Sequence, residues 1–119
     1  MLGDRGDTGN GTEGDGMKRV INGKRYDTDT AQRIAGAESS CNYGDFRYWS
    51  EDLYRTKNGA WFVAGEGGAL SRWSEACGSN GRCGSSGILP MSADEAREWC
   101  EANDVNADVI AEHFEVVDA

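Results

Sequence analysis

The first candidate site is the glycine run at positions 65–68, which follows a predicted strand and precedes a predicted helix. Backbone amides and a helix dipole in that position can hold a phosphate. The run lacks the third glycine of a dinucleotide fingerprint because Leu70 stands there, and the acidic Glu66 would repel a phosphate. A plain tight turn is the alternative. The residues of an anion-binding module or small enzyme would be Gly65, Gly67, Gly68 and Arg72, with Arg55 and Lys57 nearby.

Four cysteines and one histidine are the candidate metal ligands or nucleophiles. In a secreted chain the cysteines would indicate disulfides, whereas in a reducing cytoplasm we expect free thiols. Five residues separate Cys77 from Cys83, whereas zinc knuckles use about two to four. A catalytic pair would need His113, which a predicted apolar helix face explains as a packed side chain. A cysteine-held zinc module stays an alternative to the prediction of no metal and no cofactor.

The most informative feature is a set of acids near the C-terminus. Residues 93–119 hold nine acids and one base, and the acids recur at helical spacing, which places them on one stripe of each predicted helix. Such a stripe is either a solvated face or a docking surface that imitates a phosphate backbone for a basic protein groove. The predicted partner-binding residues are Asp94, Glu98, Glu101, Asp108, Glu112 and Glu115, with Trp73 and Trp99 as aromatic anchors. Tyr43, Trp49 and Tyr54 are further anchor candidates.

The charge balance restricts the partners. The net charge of −9 is concentrated in residues 93–119, whereas residues 17–92 hold eight acids and ten bases. Direct contact with nucleic acid is not expected, because phosphate binding requires clustered Lys and Arg. No apolar run approaches the roughly 20 residues that a bilayer span needs, and the N-terminus has no signal-peptide pattern. We therefore expect a cytoplasmic protein that binds a host protein with a basic surface.

The elements that would position these residues form a small α+β domain. Residues 1–16 are rich in Gly and Asp and are predicted to be a disordered tail, which leaves one domain at 17–119. Asn22-Gly23 and Lys57-Asn58-Gly59 predict two β-hairpins in an antiparallel sheet. Short helices are predicted over about 29–37 and 69–76, and a glycine-rich loop over 77–87.

The C-terminal part is predicted to be helical. Ser92-Ala93-Asp94-Glu95 has the pattern of a capping box, so a helix over 93–102 should follow, with Ala96, Trp99 and Cys100 inward. Asn103 or Asp104 should end or re-cap it, and apolar residues then continue at helical spacing to Val117. The predicted fold is a small antiparallel sheet built from hairpins with two to four helices.

Three segments resemble a group of small accessory proteins carried by phages, plasmids and integrated elements of bacteria. They are INGKRYDTDTA at 21–31, LYRTKNGAWFVAGEGG at 53–68 and ILPMSADEAREWCE at 88–101. The resemblance implies a start near Met17 and no catalytic residues. By analogy with anti-CRISPR proteins, it implies a non-catalytic protein that disables a host nucleic-acid-processing complex.

Overall fold

The computed structural model describes residues 17–119, so the predicted tail at 1–16 lies outside the described residues. It is an α+β fold of antiparallel strands with two short helices near the C-terminus, as predicted. The strands are β1 (Lys18–Ile21), β2 (Lys24–Asp27), β3 (Gln32–Glu38), β4 (Trp49–Arg55), β5 (Trp61–Gly67), β6 (Glu75–Cys77), β7 (Gly81–Cys83) and β8 (Ser85–Met91). The helices are α1 (Ala93–Ala102) and α2 (Ala107–His113).

Both predicted hairpins are confirmed. Strands β1 and β2 are joined by Asn22 and Gly23, whose φ angles of 52° and 78° are those of a tight hairpin turn. Strands β4 and β5 are joined through the three residues 57–59. There the amide of Thr56 donates to the carbonyl of Ala60 at 2.8 Å, and Gly59 has a φ of 87°.

A four-stranded sheet, in the order β3-β4-β5-β8, divides the core into two layers. Side chains alternate along each strand, so Leu53 and Val63 face α1, where they pack in one cluster with Trp99. On the opposite face Phe62 packs against Tyr26 of the β1–β2 hairpin. The molecule is therefore three-layered, with the hairpin on one side of the sheet and the helices on the other.

The predicted helix at 29–37 is wrong, because this segment is strand β3 at the sheet edge. The register with β4 shifts between Arg33 and Ala35, which is a β-bulge. The bulge lets the consecutive residues Ile34 and Ala35 both pack against the helix-side core. The apolar spacing of a bulged strand thus resembled that of a helix.

The predicted helix at 69–76 and loop at 77–87 are also wrong. Residues 69–74 form turns, and β6 and β7 form a short ribbon. The ribbon brings the Cα atoms of Cys77 and Cys83 to 5.9 Å, and the two form a disulfide, so the expectation of four free thiols is corrected. Cys41 and Cys100 are free, and burial raises the pKa of the Cys100 thiol.

Helix α1 begins and ends where the sequence predicts. The Ser92 hydroxyl accepts from the Glu95 amide at 3.1 Å, and the Glu95 carboxylate accepts from the Ser92 amide at 2.9 Å. Asn103 caps the C-terminus, and Asp104, with a φ of 56°, turns the chain before α2. The predicted apolar stripe does not reach Val117, which is 89% exposed.

Replacing Ser92 by alanine should lower the free energy of unfolding by about 1 kcal/mol, because one helix amide loses its acceptor. Urea denaturation measures this change. Ser86→Ala, on the neighbouring strand, is the control and should alter stability by less than about 0.5 kcal/mol. Equal losses in both variants would show that the cap contributes nothing specific.

Candidate functional site

The centre of the helix-facing side is a buried carboxylate, Glu51 of β4, which is only 6% exposed. Its Oε2 accepts from Arg72 Nε at 2.7 Å and from Trp73 Nε1 at 2.9 Å. Its Oε1 accepts from Arg72 Nη2 at 2.7 Å and from Trp99 Nε1 at 2.8 Å. We call these four side chains the Glu51 cluster. It joins β4, the loop before β6 and helix α1.

The Glu51 cluster is ionised and saturated. Burial raises the pKa of Glu51, but the hydrogen bonds and charge of Arg72 and the indole donors of Trp99 and Trp73 outweigh it, so its pKa lies below the ordinary value. Each carboxylate oxygen already accepts two hydrogen bonds. A general base needs a free position facing its substrate, so the cluster is structural.

The Glu51 cluster is not among the sites that the sequence predicts. Its members are 21, 22 and 48 positions from Glu51, beyond the reach of any local pattern. One signal was present in the run WSEDLYR. Glu51 alternates with Trp49 and Leu53, so an acid stands on the apolar face of a strand. A charge at such a position requires a partner.

The glycine run does not form the expected anion site. Gly65 and Gly67 lie within β5, paired on both sides, and the Gly68 amide donates to the carbonyl of Tyr48 at 2.8 Å. Turns follow the run, so there is no helix dipole at this point, and Arg72 is held by Glu51. Close packing explains the glycines, since a Cβ at Gly65 would overlap the ring of Trp73.

Arg55 and Lys57 lie elsewhere. They line an open cavity of about 490 Å³ with Thr30 and Thr56, and the Arg55 guanidinium lies 5.4 Å from the centre of the Trp61 ring. This cavity is at the β4–β5 turn, whereas the glycine run is at the other end of β5, about 20 Å away at some 3.4 Å per residue. The cations and glycines therefore do not converge on one ligand.

The zinc and Cys–His alternatives have no geometry to support them. Cys77 and Cys83 are bonded to each other, and after reduction they would be two thiolates without the further ligands that a zinc site needs. Within residues 17–119, no three His, Cys, Asp or Glu side chains are grouped as a metal site. The ring of His113 packs edge-on against Trp61 with centroids 6.0 Å apart. His113 is therefore a packed side chain, as its place on the predicted apolar helix face indicates.

The six predicted partner-binding acids are all exposed. Five of them lie on the two helices, whereas the predicted helical position of Glu115 is wrong, because α2 ends at His113. We call the six acids the acidic layer, which consists of Asp94, Glu98, Glu101, Asp108, Glu112 and Glu115. Arg97 is the one base of residues 93–119. It lies 3.6 Å from Asp94 and 3.4 Å from Glu101 and offsets part of this charge.

The two predicted aromatic anchors do not lie at the surface beside the acidic layer. Trp73 and Trp99 are 9% and 6% exposed, and both indole nitrogens are bound to Glu51. They therefore hold the core together, and any aromatic anchor must come from another part of the surface. Of the other candidates, Tyr43 is 75% exposed.

The β1–β2 hairpin, on the opposite side of the sheet, carries an excess of cations. It has four exposed cations and one buried acid, Asp27, which lies 3.9 Å from Lys18, and we call it the basic hairpin. The hairpin and the helices lie on opposite faces, about 20 Å apart if each layer spacing is some 10 Å. This exceeds the Debye length of about 8 Å at physiological salt, so the two charged surfaces act independently. The cations are Lys18, Arg19, Lys24 and Arg25.

A scan against protein-family models and searches of curated proteins and of solved structures gave no match. Neither helix among residues 17–119 has the length and apolar character to cross a membrane. A functional assignment must therefore rest on the surfaces that the fold presents.

Proposed function

We propose that the chain is a non-catalytic accessory protein of a mobile element. In this proposal the acidic layer occupies a basic surface of a host nucleic-acid-processing complex. The observation that carries the proposal is the placement of five exposed acids on two consecutive helices and a sixth just after the second, with a single arginine among them. In the cytoplasm, where such complexes act, the Cys77–Cys83 pair would be reduced, and the ribbon would depend on its strand pairing.

The spacing of the acids supports imitation of a phosphate backbone. Asp94 and Glu98 are four positions apart, which is about 6 Å along a helix axis. Alternate phosphates of one duplex strand are about 7 Å apart along the axis. Like charges at this spacing destabilise a helix slightly, and a partner that supplies cations would relieve that repulsion. Binding of this kind is fast and sensitive to salt.

The proposal predicts that reversing two acids abolishes binding. The double variant Glu98→Lys and Glu112→Lys raises the net charge from −9 to −5. We expect its capture of a partner from nuclease-treated host lysate to fall at least tenfold at low salt, because two charge contacts become repulsive. Quantitative mass spectrometry of the captured proteins measures the change.

A matched variant controls for net charge. Asp29→Lys with Glu38→Lys gives the same net charge of −5, but both positions are exposed residues outside the helices. This variant should capture the partner within about twofold of the unmodified chain. Equal loss in both double variants would attribute binding to overall charge and contradict a defined surface. Full retention by the helix variant would reject the proposal.

A further inference from the structure

One part of the surface combines exposed apolar side chains with a cleft. Seven large hydrophobic residues of the described chain are well exposed, and three of them lie on two adjacent loops. Tyr43, Phe46 and Leu70 are 75%, 69% and 71% exposed. The Leu70 amide donates to the Phe46 carbonyl at 2.8 Å, which joins the loops. Clustered exposed apolar residues mark interaction sites.

The cleft beside them measures about 440 Å³. Tyr43 and Tyr48 form one wall, with their rings in edge contact at 5.2 Å. Glu66, Ser85 and Ser86 line another part, and glycine backbone supplies the rest. The cleft therefore presents aromatic faces, a carboxylate and hydroxyl groups in one place. We call it the tyrosine cleft.

The Tyr48 end of the tyrosine wall is held in position by a turn before any ligand arrives. Asp45 accepts from the Arg47 amide at 2.7 Å and from its guanidinium at 3.0 and 3.1 Å. The hydrogen bonds from Arg47 lower the pKa of Asp45 to about 2. The Tyr48 amide donates to the Asp45 carbonyl at 3.0 Å. Fixing the backbone at Tyr48 lowers the entropy that this side of the cleft loses on binding.

Within the described part of the chain, the carboxylate in this cleft has no cation partner. Among residues 17–119, no Lys or Arg nitrogen lies within 4.0 Å of Glu66, although Asp45, Glu51 and Asp52 each have an arginine partner. A negative group beside tyrosine rings excludes anions and favours a cation that can stack. Arginine fits best, because its planar guanidinium stacks on aromatic rings and forms paired hydrogen bonds with a carboxylate.

We propose that the tyrosine cleft is a binding pocket for an arginine side chain of a partner protein. Tyr43 stacks on the guanidinium, with Tyr48 in edge contact beside it, and Glu66 pairs with the guanidinium. Phe46 and Leu70 cover the apolar part of the partner segment. This pocket supplies the exposed anchor that Trp73 and Trp99 cannot provide. The pocket does not include any residue of the acidic layer. The two proposals can therefore be tested and rejected separately.

The test is an NMR titration of the full chain with N-acetyl-L-arginine amide. Neutral N-acetyl-L-citrulline amide has the same shape and is the matched ligand. We expect saturable, millimolar shifts at the amides of Gly67, Gly68 and Gly84 with the arginine compound and at least fivefold weaker binding of the citrulline compound. Glu66→Gln should weaken arginine binding about three- to fivefold, and Tyr43→Ala should weaken it about two- to fivefold.

Glu38→Gln is the control variant. Glu38 shares the cross-strand row of Glu66, since both pair with Ser50, but it does not line the cleft. It should bind the arginine compound as the unmodified chain does. The proposal is overturned if the citrulline compound binds equally well or if Glu66→Gln leaves arginine binding unchanged. It is also overturned if the arginine compound causes no shift at about 50 mM, because a dissociation constant above this value means negligible affinity. Binding of hexoses in place of arginine would overturn it too.

Discussion

Replacing Glu51 by alanine should lower the free energy of unfolding by about 3 kcal/mol, because it leaves a guanidinium and two indole donors without their acceptor. Removing one partner of a buried pair costs about 3–5 kcal/mol, and the side chain of Arg72 is 46% exposed, so the lower end applies. Chemical denaturation followed by tryptophan fluorescence measures the loss, since two tryptophans report on this cluster directly.

Glu51→Gln keeps the volume and removes the charge, and Glu66→Gln makes the same chemical change at an exposed position. The first should destabilise the fold by about 2 kcal/mol and the second by less than about 0.5 kcal/mol. Equal effects would mean that the buried hydrogen bonds contribute nothing.

Acidification gives an independent readout of the same group. The pKa of Glu51 is lower in the folded chain than its ordinary value. Its contribution to stability is therefore present above the unfolded pKa and is lost as the pH falls through the folded one. Glu51→Gln should show a shallower loss of stability with acid than the unmodified chain, and an identical pH profile would contradict this account.

Gly65→Ala should lower the free energy of unfolding by about 2–3 kcal/mol, because the added methyl group must displace the ring of Trp73. Moving that ring also disturbs its hydrogen bond to Glu51. Thermal unfolding with near-ultraviolet circular dichroism measures both the stability and the environment of the indole.

Gly87 provides the matched control, because it is the cross-strand partner of Gly65 and faces the same ring. Its added Cβ would meet the nearest Trp73 atom at 3.5 Å, an ordinary contact. Gly87→Ala should change stability by less than about 1 kcal/mol. Similar effects at both positions would show that the fit around Trp73 is not the reason for glycine at position 65.

The parts of the fold that the sequence predicts correctly are those set by neighbouring residues. Asn22-Gly23 encodes its turn through backbone conformations that those two residues tolerate. The capping box at Ser92 and Glu95 works within one helical turn. Exposure of the five acids that lie on the helices also follows from local helical spacing.

The errors concern features set by distant contacts. Strand β3 was predicted as a helix because its bulge, formed against β4, places Ile34 and Ala35 on one side. Trp73 was predicted as a surface anchor, but its burial depends on Glu51, 22 positions away. The tyrosine cleft is formed by three separate segments of the chain, so no local sequence motif predicts it.

Footprinting of carboxylates tests the proposed function most directly. The captured partner and the chain are mixed, labelled with a carbodiimide and an amine, and digested for mass spectrometry. The account predicts reduced labelling in the complex at the acidic layer, above all at Glu98, Glu101 and Glu112, with unchanged labelling at Asp29 and Glu38. Unchanged labelling of the acidic layer, with protection elsewhere, would contradict it.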